Sequence, residues 1–578
     1  MRPIVDKAEA LRAVALLRTS HPAPLSVDIE TYGKDHNGDT LNPSRGDIRL
    51  LTIGPQDGAP VLFDLRALGY NGLPWADLLC ERELIAHNAA FELAWFSSKL
   101  GILPKRWFDT FIAAKLISNG DTPRNDLGSV LDTYLDVKLD KTLGASDWGA
   151  WFLVEEQLRY AVGDVIHLGA LRTTLKHTLD VEELTRCFEL ESGLLPVVAK
   201  MSRDGISADQ NRLDAILAEV TRQIEEREEA LRRYFGERVN LESPRQLLRS
   251  FQAIGCHLND TSEDTLVTVS HPAAKHLLDY RESLKIKQQA QSLFESIGPD
   301  GMIHAEFVQM GARSGRFSAR SPNLQQIARG PMRSVFSAES PDHRLIVLDY
   351  NQIELRIAAG LAPDQKMLAA FRAQEDLHRA TGAMLLDKAR EAITKDERQI
   401  AKSAAFGLVY GAGAQGLRNY AKATYGIDLN TRRSQQIRNK FFEHYSGLRE
   451  WHQKAHAKSE RVTQGRTVTG RRRLLHISMN GDSNDINWNA FQLQTNFPVQ
   501  GSAADVLKSA MIKVAERIPA GAKLRACVHD ELILSAPLEI AEDTFKVARE
   551  AMAEAFSELF PDVPIEVEGK VCQNWGQK

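Results

Sequence analysis

The sequence predicts a protein of mixed α/β and α+β class that folds as several domains. The chain has 578 residues, too long for a single hydrophobic core, so about two to four domains are expected. Residues 25–30, LSVDIE, alternate between apolar and polar side chains, as a half-buried strand does. Residues 345–348, LIVL, are an apolar run typical of a buried strand, whereas residues 210–235 repeat apolar side chains at helical spacing.

The composition excludes several classes of protein. Every apolar run is well short of a membrane span, and residues 1–20 scatter charges where a signal peptide would have an apolar core. The five cysteines are widely spaced and form no CxxC pair, which argues against zinc and disulfides and fits a reducing compartment. We therefore expect a cytoplasmic protein. Because the formal net charge is −4, any site for nucleic acid must concentrate its positive charge locally.

Acidic residues lie at the tips of predicted strands. Asp349 directly follows the LIVL run, and Asp530 and Glu531 lie in the turn between two strands predicted within residues 524–537. An acid at a strand tip is held rigidly and suits a metal ligand, although Asp349 is equally suited to cap the helix that follows it. Two such tips would hold two divalent metals side by side.

A second set of acids lies within residues 1–185. Asp28 and Glu30 share one face of a predicted strand, and Glu92 lies near the start of a predicted helix. Tyr160 and Asp164 are four residues apart on one helical face. Each piece alone is common in unrelated proteins.

In this order, the three pieces resemble the DEDD-type 3′–5′ exonucleases of the Tyr subclass. The resemblance implies that Asp28, Glu30, Glu92 and Asp164 bind two metals and that Tyr160 orients the attacking water. The family normally has Asp where this chain has Glu92, and the longer side chain shifts the geometry of that ligand.

A row of four side chains recurs at every fourth position: Arg398, Lys402, Phe406 and Tyr410. This spacing lays two cations and two aromatic rings along one face of a helix. The alternative is a basic amphipathic surface helix. The row is better matched to a nucleoside triphosphate, with charges for the phosphates and rings for the base and sugar.

Two tracts are rich in arginine and contain no acid. The first, residues 311–333, also carries Ser, Asn and Gln, which donate to phosphate and sugar oxygens. The second, residues 461–481 with five arginines, is predicted to bind phosphate as well. Cations on a predicted helix at residues 276–291 are either a solvated face or further phosphate contacts.

Together these pieces resemble family A DNA polymerases, the class of bacterial DNA polymerase I. Its motif A resembles residues 349–356 (DYNQIELR), motif B the row 398–411, and motif C residues 528–531 (VHDE), while residues 315–325 resemble the primer-template contact segment. The resemblance implies an open right hand beside a ribonuclease-H-like exonuclease. The expected domains are the exonuclease (1–185), thumb (186–305), palm (306–356 and 484–578) and fingers (357–483), without a 5′-nuclease domain.

The resemblance also assigns roles to the residues of the polymerase site. Two Mg²⁺ ions, replaceable by Mn²⁺, are expected on Asp349, Asp530 and the Tyr350 carbonyl, with Glu531 in electrostatic support and Lys402 as a candidate acid. The expected nucleotide contacts are Arg398, Lys402, Phe406, Tyr410, Gln352, His378 and Glu354, the last of which would exclude ribonucleotides. The expected contacts with DNA are Arg316, Asn323, Gln325, Asn496, Gln500 and His529.

The expected partners are primer-template DNA and dNTPs, and the expected state is a monomer. One alternative is an exonuclease of the RNase D kind with a nucleic-acid-binding module. A non-catalytic DNA-binding accessory protein is another, but it needs no paired acids at strand tips. A phage replicative enzyme and a bacterial repair enzyme fit the sequence alike.

Overall fold

The computed structural model describes residues 2–20, 23–33, 39–41, 43, 45–56, 58–119, 124–139, 143–144, 146–458, 463–475 and 483–578. The chain divides into two compact units. The first unit comprises Met1–Asp204, Gln309–Phe317 and Lys458–Arg517, and the second comprises Gly205–Val308, Ser318–Ala457 and Ile518–Lys578. None of the described helices is long and apolar enough to cross a membrane.

A five-stranded sheet forms the centre of the first unit. Its strands lie in the order Val61–Asp64, Gly46–Pro55, Leu25–Gly33, Leu84–Ala86 and Trp107–Asp109. The first three strands pair antiparallel and the last two join in parallel. Apolar side chains of this sheet are buried, as expected where helices cover a sheet.

The remaining elements of the first unit are mainly helical. Strands Gln464–Arg466 and Arg472–Leu474 form a separate hairpin. The helices are Lys7–Ser20, Leu65–Leu68, Trp75–Leu79, Ala90–Trp95, Thr110–Ile117, Leu127–Leu135, Glu155–Ile166, Leu168–Val181, Thr185–Asp204, Ser483–Gln494 and Asn496–Arg517.

Among the described residues of the first unit, four charged side chains are completely buried. They are Glu191, Arg471, Asp505 and Lys508. Arg471 Nη2 lies 2.7 Å from Asp505 Oδ1 and also contacts Glu191, which in turn pairs with Lys508. Each of these buried charges has an opposite partner, which is the condition under which buried charge is tolerated.

A four-stranded antiparallel sheet lies in the second unit. Its strands lie in the order Lys523–Val528, Glu531–Pro537, His343–Tyr350 and Val567–Cys572. The side chains of Leu345 to Leu348 are fully buried in the central strand. The apolar run that predicted a buried strand therefore folds as predicted.

The second unit also contains two smaller sheets and many helices. One sheet has the order Phe336–Ser337, Ile206–Ala208 and Met302–Ile303, and the other pairs Glu306–Val308 with Ser318–Arg320. The helices are Gln210–Phe235, Pro244–Ala253, Glu263–Leu266, Pro272–Ser296, Ile353–Leu361, Gln365–Arg372, Leu377–Leu386, Lys395–Val409, Ala414–Tyr425, Thr431–His444, Ser446–Lys458 and Ala541–Leu559.

Several predicted elements have different ends in the structure. The helix Asn496–Arg517 contains Pro498 in its first turn, where the missing N–H of proline removes no helical hydrogen bond. The helix predicted at 276–291 extends over Pro272–Ser296. The predicted division at residues 185, 305, 356 and 483 stays a prediction, since the two compact units are bounded at other residues.

Candidate active sites

The first candidate site lies at one end of the four-stranded sheet. Asp349 is the penultimate residue of its strand and is paired directly opposite Glu531 on the neighbouring strand. The helix that follows begins only at Ile353, with Gln352 at its N-cap position, so the cap interpretation of Asp349 is wrong. The Asp349 side chain is 38% exposed, so solvent and ligands can reach its carboxylate.

A tight turn holds Asp530 beside this pair. The turn joins Lys523–Val528 to Glu531–Pro537, and His529 adopts a positive φ of 57° in it. Gln325 braces the turn: its Oε1 accepts from the His529 backbone N–H at 3.0 Å, and its Nε2 donates to the Cys527 carbonyl at 2.6 Å. The Gln325 amide thus braces the protein backbone, and its predicted contact with DNA stays a prediction.

Two cations neutralise the carboxylates. Lys578 Nζ lies 3.1 Å from Asp349 Oδ2 and 3.2 Å from Glu531 Oε1. Arg333 Nη1 lies 3.1 Å from Glu531 Oε2, and its guanidinium carbon is 4.1 Å from the centroid of the Trp575 ring. Trp575 Nε1 donates to Glu531 Oε1 at 3.1 Å. Glu531 is thus fixed from three sides.

The donor set suits a hard divalent cation. Asp349 Oδ1 is buried and has no hydrogen-bond partner in the described part of the chain. The Tyr350 hydroxyl donates to the Met552 carbonyl at 2.7 Å, so its side chain points into the core. Burial, and then the nearby charge of Asp530, raise the pKa of Tyr350. An unpartnered carboxylate oxygen beside a second acid is what Mg²⁺ or Mn²⁺ binds.

The row of cations and rings lies on the helix Lys395–Val409. Thr394 caps this helix, accepting from Glu397 N–H at 3.2 Å, and Tyr410 follows its last residue. Arg398 Nε donates to Asp376 Oδ2 at 2.7 Å. Burial opposes ionisation of Asp376, but this hydrogen bond prevails and lowers its pKa. The spacing therefore predicted the helix correctly.

His378 and Lys402 lie in environments that disfavour their charge. His378 is 2% exposed, and its ring centroid is 5.8 Å from that of Phe406. Burial, followed by the charge of Arg398, lowers the pKa of His378 to about 4. Burial and the neighbouring Arg398 also lower the pKa of Lys402. A lowered pKa makes the Lys402 ammonium a better proton donor.

The sugar-side residues form a local group. Glu354, in the first turn of Ile353–Leu361, accepts a hydrogen bond from the Tyr410 hydroxyl. Gln352 adopts a φ of 55°, and its Oε1 is buried without a hydrogen-bond partner among the described residues. The structure therefore brings Glu354 and Tyr410 together although 56 residues separate them in sequence.

The second candidate site is an acidic cluster in the first unit. Ligand oxygens of Asp28, Glu30 and Asp164 all lie within 4.8 Å of one another. Tyr160 hydrogen-bonds Asp164, and burial, followed by the charges of Asp164 and Glu30, raises its pKa. Three of the four predicted ligands therefore converge, and such a carboxylate cluster fits divalent metal.

Glu92 lies outside that group of three. It is 2% exposed, and its Oε2 is buried without a partner in the described structure. Burial, followed by the charges of Asp28 and Asp109, raises its pKa well above the ordinary value. Asp109 accepts from the backbone N–H groups of Asn88 and Ala89 at 3.0 and 2.9 Å, yet burial raises its pKa to about 6.

Comparison with known proteins decides the family. A model described as DNA polymerase family A matches residues 210–577. The chain belongs to this family. A second model, described as 3′–5′ exonuclease, matches residues 2–180. The chain is thus a DNA-directed DNA polymerase with a 3′–5′ exonuclease domain, and the interpretations as an RNase D-type nuclease and as a non-catalytic accessory protein are wrong.

Relatives support the same assignment. A DNA polymerase I of Aquifex aeolicus is 33% identical over 97% of this polymerase and 97% of its own length. The thermostable DNA polymerase I of Thermus aquaticus is 32% identical over 67% of this chain, which spans 48% of the relative. The solved POL domain of Pol1 from M. smegmatis has a TM-score of 0.82 at 24% identity, covering 100% of this chain and 99% of its own, and it shows the fold alone.

Several arginines of the two tracts pair with acidic residues of the polymerase itself. Within residues 311–333, Arg320 pairs with Glu306 and Arg333 with Glu531, so neither serves phosphate alone. Of the second tract, residues 461–462 and 476–481 lie outside the described residues. Arg471 is completely buried in ion pairs, and Arg472 pairs with Glu182. The prediction of a phosphate-binding tract is therefore wrong for Arg471 and Arg472, whose charges the protein itself neutralises.

The predicted DNA contacts fall in both units. Arg316, Asn496 and Gln500 belong to the first unit, and Asn323 and His529 to the second. Asn496 and Gln500 are one helical turn apart and both half-buried on the helix Asn496–Arg517.

The sequence did not indicate three contacts of the polymerase site: Lys578 with Asp349, Arg333 with Glu531, and Trp575 with Glu531. For Trp575 the only signal was an aromatic residue near the end of the sequence.

Proposed function

We propose that the polymerase extends a primer 3′ end by template-directed transfer from dNTPs at Asp349 and Asp530. The observation that carries the proposal is the pairing of Asp349 with Glu531 across neighbouring strands, beside the turn that contains Asp530. Family membership supports it, and so does the solved Pol1 relative, which was in complex with primer-template DNA and dNTP.

Asp349, Asp530 and the Tyr350 carbonyl would hold two Mg²⁺ ions, for which Mn²⁺ substitutes. When bound, the metals activate the primer hydroxyl and stabilise charge on the α-phosphate and the leaving pyrophosphate. The protein holds its carboxylates rigidly, because the strand behind Asp349 is fully buried. Glu531, fixed by Arg333 and Trp575, supports the site electrostatically.

The incoming nucleotide would lie along the helix Lys395–Val409. Arg398 and Lys402 would hold the triphosphate, with His378 nearby, and Lys402 would protonate the departing pyrophosphate. Phe406 and Tyr410 would position the base and sugar. Glu354 and Gln352 would line the sugar, and Glu354, held by Tyr410, would leave no room for a 2′-hydroxyl.

We also propose the residues that carry 3′–5′ hydrolysis. Asp28, Glu30 and Asp164 would hold two metals, and Tyr160 would orient the attacking water through its contact with Asp164. Glu92 would join as the fourth ligand after losing its proton, because only the carboxylate form binds metal.

The residues that would contact DNA are Arg316, Asn323, Gln325, Asn496, Gln500 and His529. Affinity that arises from arginines such as Arg316 should fall with salt, because cations that neutralise phosphates release counterions. We further propose that the enzyme acts as a monomer in the cytoplasm.

One assay tests the proposal. A labelled primer-template is incubated with Mg²⁺, with and without dNTPs, and we expect extension in the first case and shortening in the second. Asp530→Asn should abolish extension, whereas Asp543→Asn, an exposed acid of the same unit, should extend normally. Extension by Asp530→Asn at the normal rate would refute the metal assignment.

A further inference from the structure

Two large aromatic side chains project from the first unit into solvent. Trp151 is 82% exposed and Phe152 is 89% exposed. Adjacent aromatic rings with this exposure are costly for a folded protein to keep unless something binds them. Neither residue takes part in the sites described above.

The segment that carries these rings is held rigidly from beneath. Arg49 is 3% exposed and donates to the carbonyls of Trp148 at 3.2 Å and Trp151 at 3.4 Å, while pairing with Asp64 at 3.2 Å. Arg66 donates to the carbonyl of Ala150 at 3.3 Å. These bonds hold the backbone that carries the two exposed rings.

An exposed cation adjoins the Trp151 ring. The Arg66 guanidinium carbon lies 4.6 Å from the centroid of the Trp151 ring and 5.6 Å from that of Tyr32. Arg66 itself is exposed. An aromatic face beside a positive charge matches a nucleobase beside its phosphate.

The same segment adjoins the acidic cluster. Trp148 lies with its ring centroid 6.1 Å from that of Tyr160, which hydrogen-bonds Asp164. Tyr32 is two residues beyond Glu30 on one strand, a distance of about 7 Å. The segment is therefore linked to the hydrolytic site at two points, because Trp148 adjoins Tyr160 and the Arg66 guanidinium lies near both Trp151 and Tyr32.

We propose that Trp151 and Phe152 form a stacking platform for bases of the single-stranded 3′ end that the exonuclease hydrolyses. Stacking is tolerant of sequence because every base has a π-face, which suits a site that must accept any terminal nucleotide. Two rings are enough to stack one or two bases, whereas a stable protein interface needs on the order of 1,000 Å². The inference rests on the proposed role of Asp28, Glu30 and Asp164 in hydrolysis.

Binding of single-stranded DNA tests the platform directly. The probe is a labelled oligo-dT titrated against the full chain in EDTA, which prevents cleavage. Trp151→Ala and Phe152→Ala should each weaken binding about tenfold, and Trp151→Phe should retain it because the ring is preserved. The weakening should persist at high salt, since stacking carries no counterion release. Leu16→Ala, which also removes an exposed apolar side chain of this unit, should bind as the wild type does.

Kinetics separates positioning from structural damage. Trp151→Ala should raise KM for single-stranded DNA in the 3′–5′ reaction while kcat and primer extension stay unchanged. Equal KM and affinity in Trp151→Ala and wild type would overturn the platform. It would also be overturned if Trp151→Ala dissociated a self-associated form in sedimentation without changing DNA affinity. If the wild type failed to hydrolyse DNA, the proposed exonuclease residues would be in error, but loss of oligo-dT binding would still support the platform.

Discussion

The two acidic sites balance their negative charge in different ways. At the polymerase site, Lys578 and Arg333 lie within 3.2 Å of the carboxylates of Asp349 and Glu531. At the exonuclease site, three carboxylates meet within 4.8 Å, and the buried acid beside them, Glu92, has a strongly raised pKa. One site thus offsets its charge with the protein's own cations, whereas at the other site the pKa of a buried acid is raised.

The two sites differ in how closely spaced acids are offset by their surroundings. Closely spaced like charges destabilise a fold unless an opposite charge or a proton compensates them. Lys578 and Arg333 offset the charges of the part-exposed Asp349 and the buried Glu531, whereas burial and the neighbouring charge of Asp28 raise the pKa of Glu92. The following experiments test this difference between the two sites.

The largest effect should come from removing one acid at each site. Asp349→Asn should lower primer extension on the order of 10⁴-fold and leave 3′–5′ shortening intact. Asp28→Asn should do the reverse. Both activities are measured on the same labelled primer-template, with and without dNTPs, and loss of both activities in either variant would mean that the sites are not independent.

A buried cation should matter more for stability than a half-exposed one. Arg471→Leu removes the cation that pairs with the fully buried Asp505, while Lys508 still pairs with Glu191, and it should cost the first unit about 3–5 kcal/mol. Hydrogen exchange in the helices Thr185–Asp204 and Asn496–Arg517 measures this loss. Arg222→Leu, which removes an exposed ion pair, should leave exchange nearly unchanged. Equal protection in Arg471→Leu and wild type would contradict the role of the network.

Acidification should affect the two units in opposite directions. Burial lowers the pKa of His452 to about 4, so between pH 6.5 and 4 the unfolded chain binds more protons and stability falls as pH falls. At pH 5 this loss is about 2 kcal/mol. Asp109, with its pKa raised to about 6, binds its proton more tightly when folded and stabilises the first unit by about 1 kcal/mol at pH 5.

Matched variants separate these contributions. Hydrogen exchange at pH 7 and pH 5, corrected for intrinsic rates, reports each unit separately. His452→Gln should reduce the acid sensitivity of the second unit, and Asp109→Asn, which still caps its helix, should remove the gain in the first. An acid response that is identical in wild type and both variants would disprove the assignment.

The smallest effect is expected from the lysine at the polymerase site. Lys578 occupies carboxylate oxygens that divalent metal would need, so Lys578→Met should tighten Mn²⁺ binding roughly fivefold, the value of a partly exposed ion pair. Electron paramagnetic resonance of free Mn²⁺ measures this affinity. Lys570→Met, whose amine instead donates to the Gln577 carbonyl at 2.8 Å, is the control. Weaker Mn²⁺ binding in Lys578→Met would indicate that the lysine positions the acids rather than competing for them.

The sequence by itself determined the local elements of both sites. The run Leu345–Leu348 specified a buried strand. The recurrence of side chains at every fourth position from Arg398 to Phe406 specified one face of a helix. The alternation of side chains along a strand likewise predicted that Asp28 and Glu30 lie on the same face. These features depend on periodicity and on neighbours within one or two turns, so they can be read from short stretches.

Only the tertiary structure decided which charges meet. Arg333 and Glu531 are 198 residues apart, Gln325 and Cys527 are 202 apart, and Arg471 and Glu191 are 280 apart. From the sequence alone, Arg471 is predicted to be a free cation, because its tract contains no acids and its partners come from distant segments. Local patterns specify strands and helices, whereas the pairing of buried charges depends on packing that brings distant segments together.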